Sequence, residues 1–398
     1  MKRLCPKNAP LVATIAALTL VLAACSARPP AAPLPERGVL FMRLGPDTMF
    51  VERFELTRDR LYVESVVRTP SVIFRTFDAP LNEDGSFASV RAAAFDAANP
   101  RGPATDSATV TFSGDSTFYS FGIGEGKQSL RLPGRGDYVI SVPGNVTFAN
   151  HLLLAARATR ARGDSLTGTM TTRNGSYPLR VKRVAPDTLT VFAQIAGLMR
   201  VVLGADGKVV GLDGTGSSLG YIGTRGSWID IDSVARAFSE HERRAGRTGS
   251  LSLRDTVIAE IGGARLSVDY GRPSRRGRAI FGTVVPFDRI WRTGANLATH
   301  FATDRPLDFN GVPLPAGTYT LHTIPRPDGW TLLVSSETGQ WGSVAPDPRR
   351  FVARIPMRVR ETSEVVETFT IALVPEGSGG RIRLAWDSTL AEASFTVR

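Results

Sequence analysis

The strongest constraint on this chain is a two-residue alternation of apolar and polar side chains that returns between closely set turns. Residues 49–56 read MFVERFEL and residues 61–67 read LYVESVV, with TRDR between them. Successive side chains on a strand point to opposite faces, so such a run buries one face and wets the other. The rhythm recurs in TDSATVTFSG (105–114), GDYVISV (136–142), TGTMTTRNGSYPLRVKRV (167–184) and TLTVFAQI (188–195). Asp84-Gly85, Asn174-Gly175 and Asp206-Gly207 supply turn positions that need positive φ. One stretch breaks the pattern: in ANHLLLAARATRARG (149–163), Leu154, Ala158 and Ala161 follow at helical spacing, with Gly163 as the stop. Residues 39–231 therefore read as an antiparallel meander, curled into a half-barrel or roll with one helix lying on it. A closed up-and-down barrel is the alternative. A transmembrane barrel is not expected, because the strands lack sustained lipid-facing sides and aromatic girdles.

Residues 232–250 read as a helical linker. DSVARAFSEHERRAG (232–246) is amphipathic, with Asp232 expected as N-cap and Gly246 as the residue past its end, and RTGS marks the boundary. Strands return over residues 251–398: DTVIAEI, ARLSVDY, RAIFGTVV, NLATHFA, TYTLHTI, GWTLLVS, FVARIPM, VETFTIALV, RIRLAWD and SFTVR. Gly262-Gly263 and GSGG (377–380) punctuate them. In RIRLAWD, Ile382, Leu384 and Trp386 share one face and Arg381 and Arg383 the other. About 150 residues of this kind fit one β-sandwich, so the whole chain is expected to be all-β.

The first residues place the chain. A basic start is followed by an apolar run from Leu11 to Leu22, shorter than the ~20 residues of a membrane span. Leu22-Ala23-Ala24-Cys25 then resembles the lipobox of bacterial lipoproteins. That resemblance implies cleavage of residues 1–24 and lipid, palmitate included, on Cys25. Residues 25–38 form a proline-rich tether. More than one acyl chain makes such anchoring stable. Ser26 after the cysteine implies passage to the outer membrane, so the expected place is the periplasmic face of that membrane. Formal net charge is +11, and removal of Lys2, Arg3 and Lys7 with the leader leaves +8. The basic residues are dispersed among acids, which argues against nucleic acid as a partner.

Little in the sequence points to catalysis. GSSLG (216–220) matches a nucleophile elbow, but the following YIGTRGSW is not helical. GIGEGK (122–127) misses the phosphate-loop spacing. The histidines are His151, His241, His300 and His322, with no metal-ligand spacing, so no metal or other cofactor is expected. By strand parity His322 lies on the side of Thr320 and Ile324, opposite Tyr319 and Leu321.

The stretches YGRPSRRGRAIFGTVVPFDRIWRTGANLATHF (270–301), LPAGTYTLHTIP (314–325), GWTLLV, GQWG, FTIAL and RLAWD carry a resemblance to a bacterial family known as domain of unknown function 2911. It covers roughly residues 265 to 398. The resemblance implies a β-sandwich of secreted or envelope proteins and brings no catalytic residues. Two departures stand out: SVAPDPRR follows QWG where the family has a Tyr-Asp pair, and His322 stands where Phe is usual. The N-terminal half shows no comparable resemblance.

Within RIWRTGAN two readings compete. As a structural corner, Trp291 anchors a connection by burial, Gly294 and Asn296 shape a turn, and the arginines satisfy loop carbonyls and carboxylates such as Asp269 and Asp288. As a site, Arg292 converges with Arg272 and Arg278 on an anion. The corner is the favoured reading. The candidate ligand-binding residues are Arg272, Arg278, Trp291, Arg292, Asn296, His300 and His322. The function expected is a non-catalytic binding or structural module with a small anionic or apolar ligand. The alternative is a hydrolase of envelope material, using His300 or His322 with a carboxylate.

Overall fold

The computed structural model describes residues 34–140, 147–161, 164–193, 196–342 and 344–398. The leader, Cys25 and most of the tether lie outside the described residues, as does Gly163, the expected helix stop. No helix among the described residues is long and apolar enough to cross a membrane. Among the described residues the fold is all-β, with two sheets and two α-helices.

The first sheet has fifteen strands. They are β1 (Glu36–Leu44), β2 (Asp47–Leu56), β3 (Arg60–Val67), β4 (Ile73–Pro80), β5 (Ser89–Asp96), β6 (Ala104–Ser113), β7 (Ser116–Phe121), β8 (Gln128–Pro133), β9 (Tyr138–Ile140), β10 (Ser165–Thr172), β11 (Gly175–Ala185), β12 (Thr188–Ala193), β13 (Gly197–Leu203), β14 (Val209–Asp213) and β15 (Ile222–Gly226). Their spatial order is 8-7-6-5-4-3-2-1-15-14-13-12-11-10-9. Two meanders therefore meet where β1 pairs with β15, Val39 opposite Gly226 and Arg43 opposite Ile222. The two ends of the sheet, β8 and β9, are consecutive in the chain yet unpaired, so the expected roll forms and the closed barrel does not. Single bonds cross the seam, such as Tyr119 Oη to Thr171 O at 2.9 Å. β1 starts inside the expected tether, because Glu36 and Arg37 pair with Leu56 and Glu55 and the Glu36 carboxylate is buried against Arg225.

The expected helix is α1 (Asn150–Arg160). It fills the concave side of the roll rather than lying on its surface: Asn150 to Ala155 and Ala158 are all buried. Leu152, Leu153 and Leu154 join one core with Phe50, Phe54, Phe77 and Tyr221. Its N-terminus is buried as well, and Glu52, projecting inward from β2, accepts the Ala149 N–H at 2.8 Å. A carboxyl oxygen there satisfies an otherwise orphaned donor.

The second helix is α2 (Ile231–Ala245). It is not a free linker. Ile231 and Ala235 pack with Val39, Val51, Val66 and Phe74 on the convex face of the sheet. Its N-cap is Asp230, which accepts from Asp232 N and Ser233 N. Asp232, the expected cap, instead pairs with Arg101, which also holds Glu64. Gly246 ends the helix at φ 85°, as expected. Because Ile231 lies near the rim where β15 ends and Gly249 N donates to Pro70 O near the rim where β3 ends, α2 carries the chain from one rim of the roll to the other.

The second sheet comprises β16 (Ser252–Ile261), β17 (Ala264–Pro273), β18 (Thr299–Thr303), β19 (Leu307–Phe309), β20 (Val312–Leu314), β21 (Gly317–Ile324), β22 (Trp330–Ser335), β23 (Phe351–Glu376) and β24 (Gly379–Val397). Their order is 16-17-18-21-22-23-24-19-20, and the sheet folds over to enclose one core as a β-sandwich. Tyr270 of β17 reaches across to β23, accepting from Ile371 N at 2.9 Å. FVARIPM and VETFTIALV prove to be one 26-residue strand, and RIRLAWD and SFTVR one 19-residue strand. RAIFGTVV is a loop rather than the expected strand: Ile280 O accepts from Val285 N, and Gly282 sits at φ 84°.

Candidate ligand-binding site

The C-terminal domain sits on the rim of the roll built by the β3–β4, β10–β11 and β14–β15 connections. Arg278 fastens it there: its Nη1 donates to Ser217 O and Ser218 O, at 3.1 and 3.2 Å. Its other bonds go to Arg275 O and Ser274 O. Between rim and domain lies a cavity of about 1300 Å³. The roll lines it with Arg173, Arg180, Phe192 and Tyr221, among others. The C-terminal domain contributes Arg276, Arg278, Arg289, Trp291, Arg292, Asn296, His322 and Trp341.

The local backbone explains why Trp291 and Arg292 differ. Trp291 forms a two-way bridge with Thr323, its N–H donating to Thr323 O at 2.7 Å and its O accepting from Thr323 N at 2.9 Å. Antiparallel pairing alternates side chains between faces. Trp291 therefore goes to the aromatic side, where it stacks on Trp386 at 5.9 Å and 19° and meets Trp330 and Phe369 edge-on. Arg292 and His322 fall opposite one another on the other side. Beyond them the chain turns sharply: Thr293 and Asn296 have positive φ, and a side chain on Gly294 (φ 154°) would meet Thr299 Oγ1 at 2.8 Å.

Arg292 makes a single hydrogen bond among the described residues, Nε to Gly294 O at 3.3 Å. Burial pushes its pKa down from the ordinary guanidinium value. Its stem passes Gly342, where an added Cβ would stand 2.8 Å from Arg292 Cδ, so the glycine of GQWG leaves the slot this side chain occupies. His322 is only 2% exposed, and its Nε2 has no hydrogen-bond partner. Burial lowers its pKa to about 4, so the imidazole is neutral at pH 7. Tyr319 and Leu321 point into the sandwich core, on the face opposite His322, as strand parity requires.

The other candidates separate. Arg272 faces away from the cavity, bonded to Asp255, Phe369 O and Thr370, so the three arginines do not converge. His300 is also outside the cavity lining; its Nε2 accepts from Gly339 N at 3.1 Å, and burial followed by nearby Arg254 lowers its pKa. Asn296 lines the cavity, with Nδ2 donating to Ser252 O at 3.3 Å. The carboxylates expected to satisfy the candidate arginines are taken by others, Asp269 by Arg254 and Asp288 by Arg326. Neither His300 nor His322 hydrogen-bonds to a carboxylate among the described residues. No cluster of three or more His, Cys, Asp or Glu there is placed to hold a metal.

Sequence reasoning missed Arg173, Arg180, Arg276, Arg289 and Trp341, although Arg276 and Arg289 stand inside GRPSRRGR and RIWRTGAN. Trp341 stood inside the quoted GQWG. Arg173 and Arg180 gave no signal, since their relevance comes from docking against a domain about a hundred residues further on.

A structural likeness is found to the isotype 1 transferrin binding protein B from serogroup B Neisseria meningitidis. It has 8% identity and a TM-score of 0.11, and covers 88% of this chain and 66% of that one. The chain thus spans just under two thirds of that protein, and a likeness so slight carries no argument. No curated protein matches the sequence. Residues 252–395 match the family described as "Protein of unknown function (DUF2911)", and it is to this family that the C-terminal sandwich, with the RIWRTGAN wall of the cavity, is similar.

Proposed function

We propose that this protein is an envelope lipoprotein, held by lipid on Cys25, that binds an anionic ligand between its two domains and catalyses no reaction. The observation that carries the binding reading is the charge of the cavity wall. Six arginines line it (Arg173, Arg180, Arg276, Arg278, Arg289 and Arg292), and among the described residues none is in an ion pair. The sole carboxylate of the lining, Asp288, already pairs with Arg326. Like charges facing one cleft repel each other and raise the local concentration of anions. A guanidinium fork suits carboxylate or phosphate oxygens. Arg292 supports the reading most directly, being partly desolvated yet without a counter-ion among the described residues. The lipobox-like LAAC supports the anchor.

The test is thermal unfolding of wild type and Arg292→Gln with galacturonate, sulfate or phosphate. A ligand that binds only the folded state stabilises it, by about 2.7 kcal/mol at a hundredfold excess over Kd. Wild type is expected to gain stability with at least one of these anions, and Arg292→Gln to lose most of that gain. An equal gain in the variant, or none in wild type, refutes the site. Separately, Cys25→Ser is expected to move the protein from the membrane fraction to the soluble periplasm or leave it uncleaved.

A further inference from the structure

We infer that the ligand is an acidic oligosaccharide, a chain of carboxylate-bearing sugars that spans both domains and lays one ring against Trp341. This rests on the anion-binding reading above and goes further in number of charges and in chemistry. The unpaired arginines fall into two groups on opposite walls. Arg173 and Arg180 belong to the β10–β11 hairpin of the roll, whereas Arg276, Arg289 and Arg292 belong to loops of the sandwich. A single carboxylate offers two oxygens to these five guanidinium groups, whereas a chain with repeated carboxylates offers a charge to each wall. The cavity, at about 1300 Å³, also exceeds the ~300–1000 Å³ of ordinary small-molecule sites.

Three further features point to sugar rather than to a bare polyanion. Trp341 is half-buried in the cavity wall, has no ring partner among the described residues, and is held by its backbone bridge to Leu297. It directly precedes Gly342, which flanks the Arg292 stem, and indole and guanidinium line the same cavity. An indole face takes the C–H face of a pyranose, while polyphosphate has no apolar face to offer. His322, neutral and with Nε2 free of a hydrogen-bond partner among the described residues, suits a hydroxyl, which can donate or accept, and brings no positive charge to a further phosphate.

Calorimetric titration of the full chain with galacturonate, trigalacturonate and tripolyphosphate tests this. Trigalacturonate is expected to bind at least about tenfold tighter than galacturonate, since its second charge binds intramolecularly. The Arg173→Gln/Arg180→Gln pair should cost trigalacturonate several-fold more than it costs galacturonate. Trp341→Ala should weaken trigalacturonate about tenfold, and Trp341→Phe, which keeps a ring and guards against a folding defect, should restore most of the loss. Galacturonate bound as tightly as trigalacturonate would overturn the spanning chain while leaving the anion site standing. Tripolyphosphate bound tighter than trigalacturonate, and unmoved by Trp341→Ala, would overturn the sugar. If none of the three binds, the anion site falls and this inference with it.

Discussion

Trp291 and Arg292 are adjacent, and the bridge to Thr323 sends them to opposite faces. One face of this turn is the expected corner, and the other carries Arg292 into the cavity proposed above as an anion site. The corner is legible from residue type alone, since a large aromatic beside a glycine reads as packing. That Arg292 lacks a counter-ion among the described residues is not legible, because sequence does not say which carboxylates other arginines have taken. A second residue, Glu52, was not singled out by pattern at all, although it lies in the quoted MFVERFEL. It is fully buried, and desolvation raises its pKa to about 7 against the pull of Arg75 and the bonds from Phe148 and Ala149. Its Oε1 has no partner, which suits a protonated carboxyl better than an ionised one. The folded state therefore holds this proton more firmly than the unfolded state, whose value is near 4.5. Stability falls as pH rises from 4.5 towards 7, and the loss is complete above that range. Gln at this position does not titrate. The unfolding free energy of Glu52→Gln minus that of wild type should therefore grow by about 2–3 kcal/mol between pH 5 and pH 8. A difference that does not change with pH would mean the carboxylate is ionised throughout.

At the scale of elements, alternation served well where a strand has one buried and one more exposed face, as in β11, β16 and β17. It failed where the ladder runs through polar residues. β23 and β24 continue across RVRETSE and STLAEA, with Arg358 opposite Glu392 and Glu361 opposite Thr389, and the register then shifts twice before Thr370. Those irregularities bend the long hairpin and interrupt the two-residue period, so each strand read as two. RAIFGTVV failed in the other sense. Ile280 and Val285 are buried and the apolar spacing imitates a strand, but Gly282 turns the chain back on itself. α2 was found by its period, but not its berth on the convex face. That berth makes Ile231, fully buried against Val39, Val51 and Val66, the residue on which the helix depends. Ile231→Ala should cost about 2–5 kcal/mol in chemical denaturation. Exposed Arg236→Ala on the same helix should stay within about 0.5 kcal/mol. Equal effects from the two would show that α2 is only loosely attached.

For the molecule as a whole, two sheets and a boundary near residue 250 follow from strand and turn patterns. The cyclic order of the first sheet does not, because nothing in the sequence of β1 names β15 as its neighbour, nearly two hundred residues away. The course of α2 has a further consequence. The chain enters the roll at the rim where Glu36 pairs with Leu56, and leaves α2 at the other rim, where the cavity lies. Fifteen helical residues rise about 22 Å. Under the anchor proposed above, lipid on Cys25 would be the foot of a stalk, with the proposed ligand mouth at the rim opposite the one where Glu36 enters the roll. Protein moored to vesicles through Cys25 should bind trigalacturonate as it does in solution. Protein moored instead through Thr215→Cys, on the far rim and in a Cys25→Ser background, should bind it several-fold more weakly, because the bilayer then crowds the mouth; equal binding from the two moorings would show that the mouth does not face away from the foot.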